Sequence, residues 1–179
     1  MATQVWGRLI LGNTRNGRRE LTSLTRNFSS VVIDHFYGRP QDITVAGLYC
    51  DYLDRNEQTT PNMLGAILKQ LVAGNIPENI RKAFKDAKGH LGGVRPEVPK
   101  LLEMLNMAIA QREWLVICID GLDESLATHR TGFLRALQTV VQVSPNVQLF
   151  LTGRPFVRGE VERHFPGVNT ISEPDEGRH

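Results

Sequence analysis

Leu115-Val116-Ile117-Cys118-Ile119-Asp120-Gly121-Leu122-Asp123-Glu124 is the stretch on which the reading of this chain turns. Five apolar residues, mostly β-branched, run into an acid, and two more acids follow within four positions. An unbroken apolar run of this length fits a strand buried on both faces, as in parallel sheets. A buried carboxylate without a partner is costly, so an acid at the end of such a strand should meet a cation or water. In open α/β sheets, the carboxyl edge of the strands is where ligands sit. The pattern is that of the Walker B strand, in which the first acid holds Mg²⁺ and a later one orients water. Asp120 is therefore the candidate metal ligand, and Glu124 and Asp123 are candidates for activating water. The alternative is a strand running into an acidic helix N-terminus, which the helix dipole favours.

Strands and helices alternate around this run. Ile43–Tyr49 reads as a strand ending in Cys50-Asp51-Tyr52. Pro61 suits the first turn of a helix capped by Thr60, with Met63, Leu64, Ile67, Leu68 and Leu71 on one face. Residues 77–88, 97–111, 128–143 and 157–165 read as further helices, and residues 147–152 and 168–171 as strands. Phe28, Val31, Val32 and Phe36 have helical spacing before Gly38 and Pro40, and Arg8–Leu11 is a short strand-like run. Such alternation predicts right-handed βαβ crossovers: an α/β, P-loop NTPase-like parallel sheet with helices on both faces. The expected organisation is an aberrant or disordered basic segment, 1–27, carrying a remnant first strand, then a partial domain over 28–172. The polar tail 173–179 reads as a chain cut short.

Composition narrows the function. Hydrophobic residues at 41% and charged residues at 22% are ordinary for a globular domain. No apolar run reaches the roughly 18 residues of a membrane helix, and Leu9-Ile10-Leu11 is too short for a signal peptide, so a cytoplasmic location is expected. Cys50 and Cys118 both lie in apolar runs and read as buried thiols in a reducing compartment. The five histidines lack zinc-ligand spacing. The net charge of +2 conceals an asymmetry. Arg8, Arg15, Arg18, Arg19 and Arg26 against Glu20 give residues 1–27 a charge of +4, so the rest sums to −2. Nucleic-acid binding is not expected of a domain that is itself net acidic.

Two further motifs bear on the site. Thr152-Gly153-Arg154-Pro155 ends the next predicted strand, on the same sheet edge as Asp120. Arg154 there is placed to contact a γ-phosphate; the alternative is a loop arginine bonded to Asp123 or to backbone carbonyls. Gly12-Asn13-Thr14-Arg15-Asn16-Gly17-Arg18-Arg19 has the two glycines of a phosphate loop, G-x-x-x-x-G-K-[ST], at the right spacing. Arg18 replaces the Lys, and Arg19 replaces the Mg²⁺-binding hydroxyl. Gly12, Gly17 and Arg18 are thus the candidate phosphate contacts, against an accidental match. Asp34-His35, Cys50-Asp51-Tyr52 and Gln58-Thr59 sit at element ends, where capping or packing is the expected role.

With these residues in place, a resemblance emerges. The runs 28–36, 48–52 and 58–59 resemble the NACHT-type NTPase domain of fungal STAND proteins, also described as the nephrocystin-3-like N-terminal domain. So do 62–71, Ile119–Glu124 and Leu151–Pro155. The resemblance covers about residues 28–171. It implies ATP or GTP binding with Mg²⁺, and a signalling switch in which nucleotide state controls self-association or the binding of STAND-type protein partners. It places the Mg²⁺ aspartate on Asp120, the water-activating acids on Asp123 and Glu124, and a sensor arginine on Arg154. It also exposes a departure: Leu24, Thr25 and Arg26 stand where the family has Gly, Lys and Thr. A charge-assisted hydrogen bond is worth about 1.5–3 kcal/mol, so loss of the Lys predicts roughly tenfold to hundredfold weaker binding. The expectation is a nucleotide-binding module with weak or absent hydrolysis. The alternative is a nucleotide-free oligomerisation scaffold that keeps the fold.

Overall fold

The computed structural model describes residues 4–7, 43–90 and 96–172. The predicted helix over 28–37, Arg8–Leu11, Asp34-His35, the phosphate-loop candidates Gly12, Gly17 and Arg18, and residues 24–26 lie outside the described residues. Five strands form one sheet: β1 (Gln4–Gly7), β2 (Ile43–Tyr49), β3 (Trp114–Asp120), β4 (Val147–Gly153) and β5 (Asn169–Ser172), in the order β2-β3-β4-β1-β5. β2, β3 and β4 are parallel, with Ile43 opposite Trp114 and Leu115 opposite Val147. The helices are α1 (Thr60–Leu71), α2 (Glu78–His90), α3 (Val98–Ile109), α4 (Ala127–Val143) and α5 (Arg158–His164).

This is a mixed α/β arrangement around a three-stranded parallel core, consistent with the expected P-loop-like class. The parallel order stops at β4. β1 runs antiparallel to both β4 and β5, with Gln4 opposite Gly153 and Gly7 opposite Phe150. Its C-terminal end therefore points away from the edge that carries Asp120.

The core follows the strand register. Ala46, Ile117 and Leu149 are in register and share one face, with Leu115, Ile119, Val147 and Leu151. These residues form a single buried cluster with the apolar stripes of the helices, including Met63, Leu64, Ile67, Leu68 and Leu71 of α1. Val116, Cys118 and Phe150 lie on the other face and are buried as well. Both faces of β3 are thus covered, which explains why its run is uninterrupted rather than alternating.

The start of α1 differs by one residue from its expected cap. Thr59 is the cap, its hydroxyl accepting from the Asn62 N–H, and Pro61 sits in the first turn. The Thr60 hydroxyl instead donates to the carbonyl of His129 in α4. A tertiary contact has taken the side chain that the local pattern assigned to the cap.

α4 and α5 are joined by a buried ion pair. Arg130 Nε lies 2.7 Å from Glu160 Oε2, with side-chain exposures of 9% and 12%. Arg130 also donates to the Ser125 carbonyl at 3.0 Å, and the Thr131 hydroxyl donates to Glu160. Burial works to raise the Glu160 carboxyl, but the Thr131 and Arg130 hydrogen bonds and charges outweigh it and hold it below the usual range. Because the folded-state value is the lower one, this contribution is complete above the ordinary glutamate range and is lost as pH falls through the lowered value.

Removing one partner of such a pair leaves an uncompensated buried charge. Glu160→Gln is expected to cost about 3 kcal/mol in urea unfolding at neutral pH. Arg130→Met combined with Glu160→Leu should cost less than the single change, because no charge is stranded.

Candidate functional site

The sheet's carboxyl edge gathers the candidate acids. Asp120 is the last residue of β3, and Gly121 follows with φ +67°. That left-handed turn favours glycine, and a Cβ there would come within 3.0 Å of the Cys50 carbonyl. The turn sends the chain into a short 3₁₀ segment, Leu122–Glu124, whose Leu122 is fully buried as an anchor. Asp123 and Glu124 are thereby brought to the same edge as Asp120.

Each acid meets a different partner. The Thr152 hydroxyl, at the end of β4, donates to Asp120 Oδ1 and accepts from the Gly121 N–H at 3.0 Å. Thr152 is only 3% exposed, so this small network is shielded from water. Asp123 Oδ1 accepts from the Arg154 backbone N–H at 3.1 Å, and its Oδ2 lies 3.3 Å from Arg154 Nε. Glu124 Oε2 accepts from the Tyr52 N–H at 3.0 Å. Three strand ends, those of β2, β3 and β4, are tied together through carboxylates.

Arg154 thus takes the contact that the alternative reading allowed for it, the pairing with Asp123. The Arg154 side chain is 49% exposed while that of Asp123 is 7% exposed, so the guanidinium remains reachable from solvent. Capping was expected at Asp51 and around Gln58-Thr59, and it is observed. Asp51 accepts from the Leu53 N–H at 2.9 Å, and Gln58 Nε2 donates to the Asp51 carbonyl at 2.8 Å. Two partners were not legible in advance: Thr152 as a bridge, and the Tyr52 N–H as the donor to Glu124. A buried threonine at the tip of a strand beside an acid-tipped strand was the available signal.

The acids set the local potential. The Tyr49 phenol is pushed up, first by the Glu124 charge, then by burial and by Asp51 and Asp120. Cys50 is fully buried, and its thiol is pushed up to about 12 by burial first and then by Asp120, Asp123 and Glu124. Burial, with Asp120 second, pushes Cys118 up to about 12. Both cysteines are free and buried, as their apolar surroundings led one to expect. Among the described residues, no group of three or more His, Cys, Asp or Glu side chains is arranged to hold a metal ion. A Mg²⁺ ion needs only one or two carboxylates when phosphate and water oxygens complete its shell, and Asp120 with one oxygen fixed by Thr152 fits that demand. Among the described residues, no helix is long and apolar enough to cross a membrane.

Comparison with known families gives one match: the family described as Nephrocystin 3, N-terminal, over residues 27–154. That span holds β2, β3, β4, all three acids and Arg154. No curated protein and no solved structure matches the chain.

Two outcomes test this geometry. Thr152→Val removes the donor to Asp120 and the acceptor for Gly121, and should cost about 2–3 kcal/mol in thermal or urea unfolding. Thr152→Ser, which keeps the hydroxyl, should stay within about 1 kcal/mol of the parent. The folded chain should show no thiol reactive with an aromatic disulfide reagent at pH 8, and both thiols after unfolding.

Proposed function

The chain belongs to the nephrocystin 3 N-terminal family, and we propose that its Asp120 edge is a Mg²⁺-nucleotide site in a NACHT-type, STAND-class signalling module. The single observation that carries this is the acid at the carboxyl tip of a parallel strand, half-buried and fixed by Thr152. It stands where open α/β sheets bind ligands. The cation, when bound, neutralises charge on the phosphate oxygens and orients them.

The chain's own residues divide the remaining work. Asp120 offers an oxygen to the cation, directly or through water. Thr152 occupies the other oxygen and holds the carboxylate in place. Glu124 is the group to polarise an attacking water, and it sits on a turn fixed by Leu122 and Gly121. Arg154 is the half-exposed cation at the edge. On meeting a γ-phosphate it exchanges the Asp123 carboxylate for phosphate oxygens, an equally suitable partner for guanidinium. Asp123 is not left bare by the exchange, because its Oδ1 keeps the Arg154 backbone N–H as a donor.

Hydrolysis is expected to be slow. Arg18 and Arg19 stand where a phosphate loop places Lys and a Mg²⁺-binding hydroxyl, and Leu24, Thr25 and Arg26 offer no replacement in the other register. The module then serves as a sensor of nucleotide, ATP or GTP, whose state governs self-association or partner binding inside the cell. A nucleotide-free scaffold is the competing reading. It is favoured by the fact that Asp120, Asp123 and Glu124 each already has a partner within the chain.

Binding of a fluorescent ATP or GTP analogue to the purified chain, with and without Mg²⁺, separates the two. The nucleotide reading expects saturable, Mg²⁺-dependent binding that Asp120→Ala weakens at least tenfold, and residual hydrolysis that Glu124→Gln lowers further. Absence of saturable binding up to millimolar nucleotide overturns it and leaves the scaffold.

A further inference from the structure

β2 is an edge strand of the sheet among the described strands. An edge strand presents backbone N–H and C=O groups that can pair with another chain. This one is hazardous by composition: Ile43-Thr44-Val45-Ala46-Gly47-Leu48-Tyr49 has no charged residue and no proline, with β-branched or aromatic side chains at four of its seven positions. Natural edges are usually blunted by lysine, proline or a bulge, and β2 has none of the first two.

The structure blocks it in another way. From α1, the Gln70 side-chain amide reaches to the middle of β2. The Gly47 N–H donates to Gln70 Oε1 at 2.9 Å, and Gln70 Nε2 donates back to the Gly47 carbonyl at 2.8 Å. The second Nε2 proton goes to the Ala66 carbonyl of α1 itself, at 3.2 Å. These three bonds fix the orientation of the amide, since a flipped amide would set donor against donor at Gly47 and acceptor against acceptor at Ala66. The reciprocal pair at Gly47 is the same exchange that two residues make in the hydrogen-bonded pair of an antiparallel ladder. A side chain has taken the place of a strand.

We infer that Gln70 is a strand surrogate, holding the edge of β2 closed against antiparallel pairing with β2 of a second copy of this chain. The occupant follows from the edge itself. Identical uncharged segments meet about a two-fold axis with the same groups on both sides, and no charge repels them. Gln70 fills an inner register position, at Gly47, so a second β2 pairing along the whole edge must displace it. The inference stands independently of nucleotide binding.

Gln70→Leu keeps the bulk of an exposed side chain and removes all three bonds. In the full chain it should speed exchange of the Gly47 amide at least tenfold. It should also add a concentration-dependent dimer or larger species in sedimentation velocity, beyond whatever the parent forms. Adding Tyr49→Lys, a charge at an exposed end of β2, should return sedimentation to the parent's. Gln70→Asn, whose amide is one methylene too short to reach Gly47, should reproduce both changes if leucine compromises folding. Unchanged exchange and sedimentation overturn the inference. Faster exchange without self-association overturns it too, as does association that Tyr49→Lys leaves intact.

Discussion

The Thr152 hydroxyl is the smallest element of this structure and the one on which its carboxyl edge depends. It has one proton to give and lone pairs to accept with. It gives the proton to Asp120 and accepts from the Gly121 N–H. A buried apolar strand that ends in a carboxylate faces a desolvation problem, and a hydroxyl from the neighbouring strand is a local solution to it. The same bond fixes the left-handed turn at Gly121, which in turn sets the direction of Leu122–Glu124. Strand pairing, turn geometry and the placement of three acids thus follow from one contact between β3 and β4. The Cys50 N–H, donating to the Asp120 carbonyl at 2.8 Å, extends the tie to β2.

Much of this was legible in the sequence because it is periodic or local. β2 has the bounds that its apolar run predicted, and all five residues of the α1 stripe are buried. The acid-tipped run is β3, and the Thr-Gly-Arg-Pro motif leaves β4 at the same edge. Contacts between elements far apart in the chain were not legible. Gln70 reads as one more polar residue on the solvated side of a helix, and nothing local says that it faces a strand edge 23 residues earlier. Arg130 and Glu160 are 30 residues apart on two different helices. The direction of β1 was equally hidden. Four residues suffice to form a strand, but its orientation is decided by the partners it finds, here β4 and β5.

The antiparallel β1 matters for the site as much as for the topology. A phosphate loop works because it leaves its strand at the carboxyl edge of the sheet, beside the acid. β1 ends at Gly7 opposite Phe150, in the middle of β4, and heads toward the other edge. The parallel core thus carries its acids at one edge, while the strand next to it runs in the opposite direction.

The unequal exposure of the two carboxylate pairings decides how such an edge can respond to a ligand. The bond to Asp120 comes from the buried Thr152 hydroxyl, so removing that donor leaves a half-buried carboxylate without it and costs a few kcal/mol. The pair between Asp123 and Arg154 is half open to water on the arginine side, and Asp123 keeps the Arg154 backbone N–H as a donor if the guanidinium leaves. A polyanion approaching this edge therefore meets a fixed carboxylate and a releasable guanidinium. The fixed group preserves the fold whether or not anything is bound. The releasable one lets the edge change its charge arrangement without disturbing the strands beneath it. Arg154 adjoins Pro155–Val157 and then α5, which the buried pair from Glu160 to Arg130 ties to α4. Under the proposed function, a shift of Arg154 on binding phosphate would reach α5 first and, through that pair, α4.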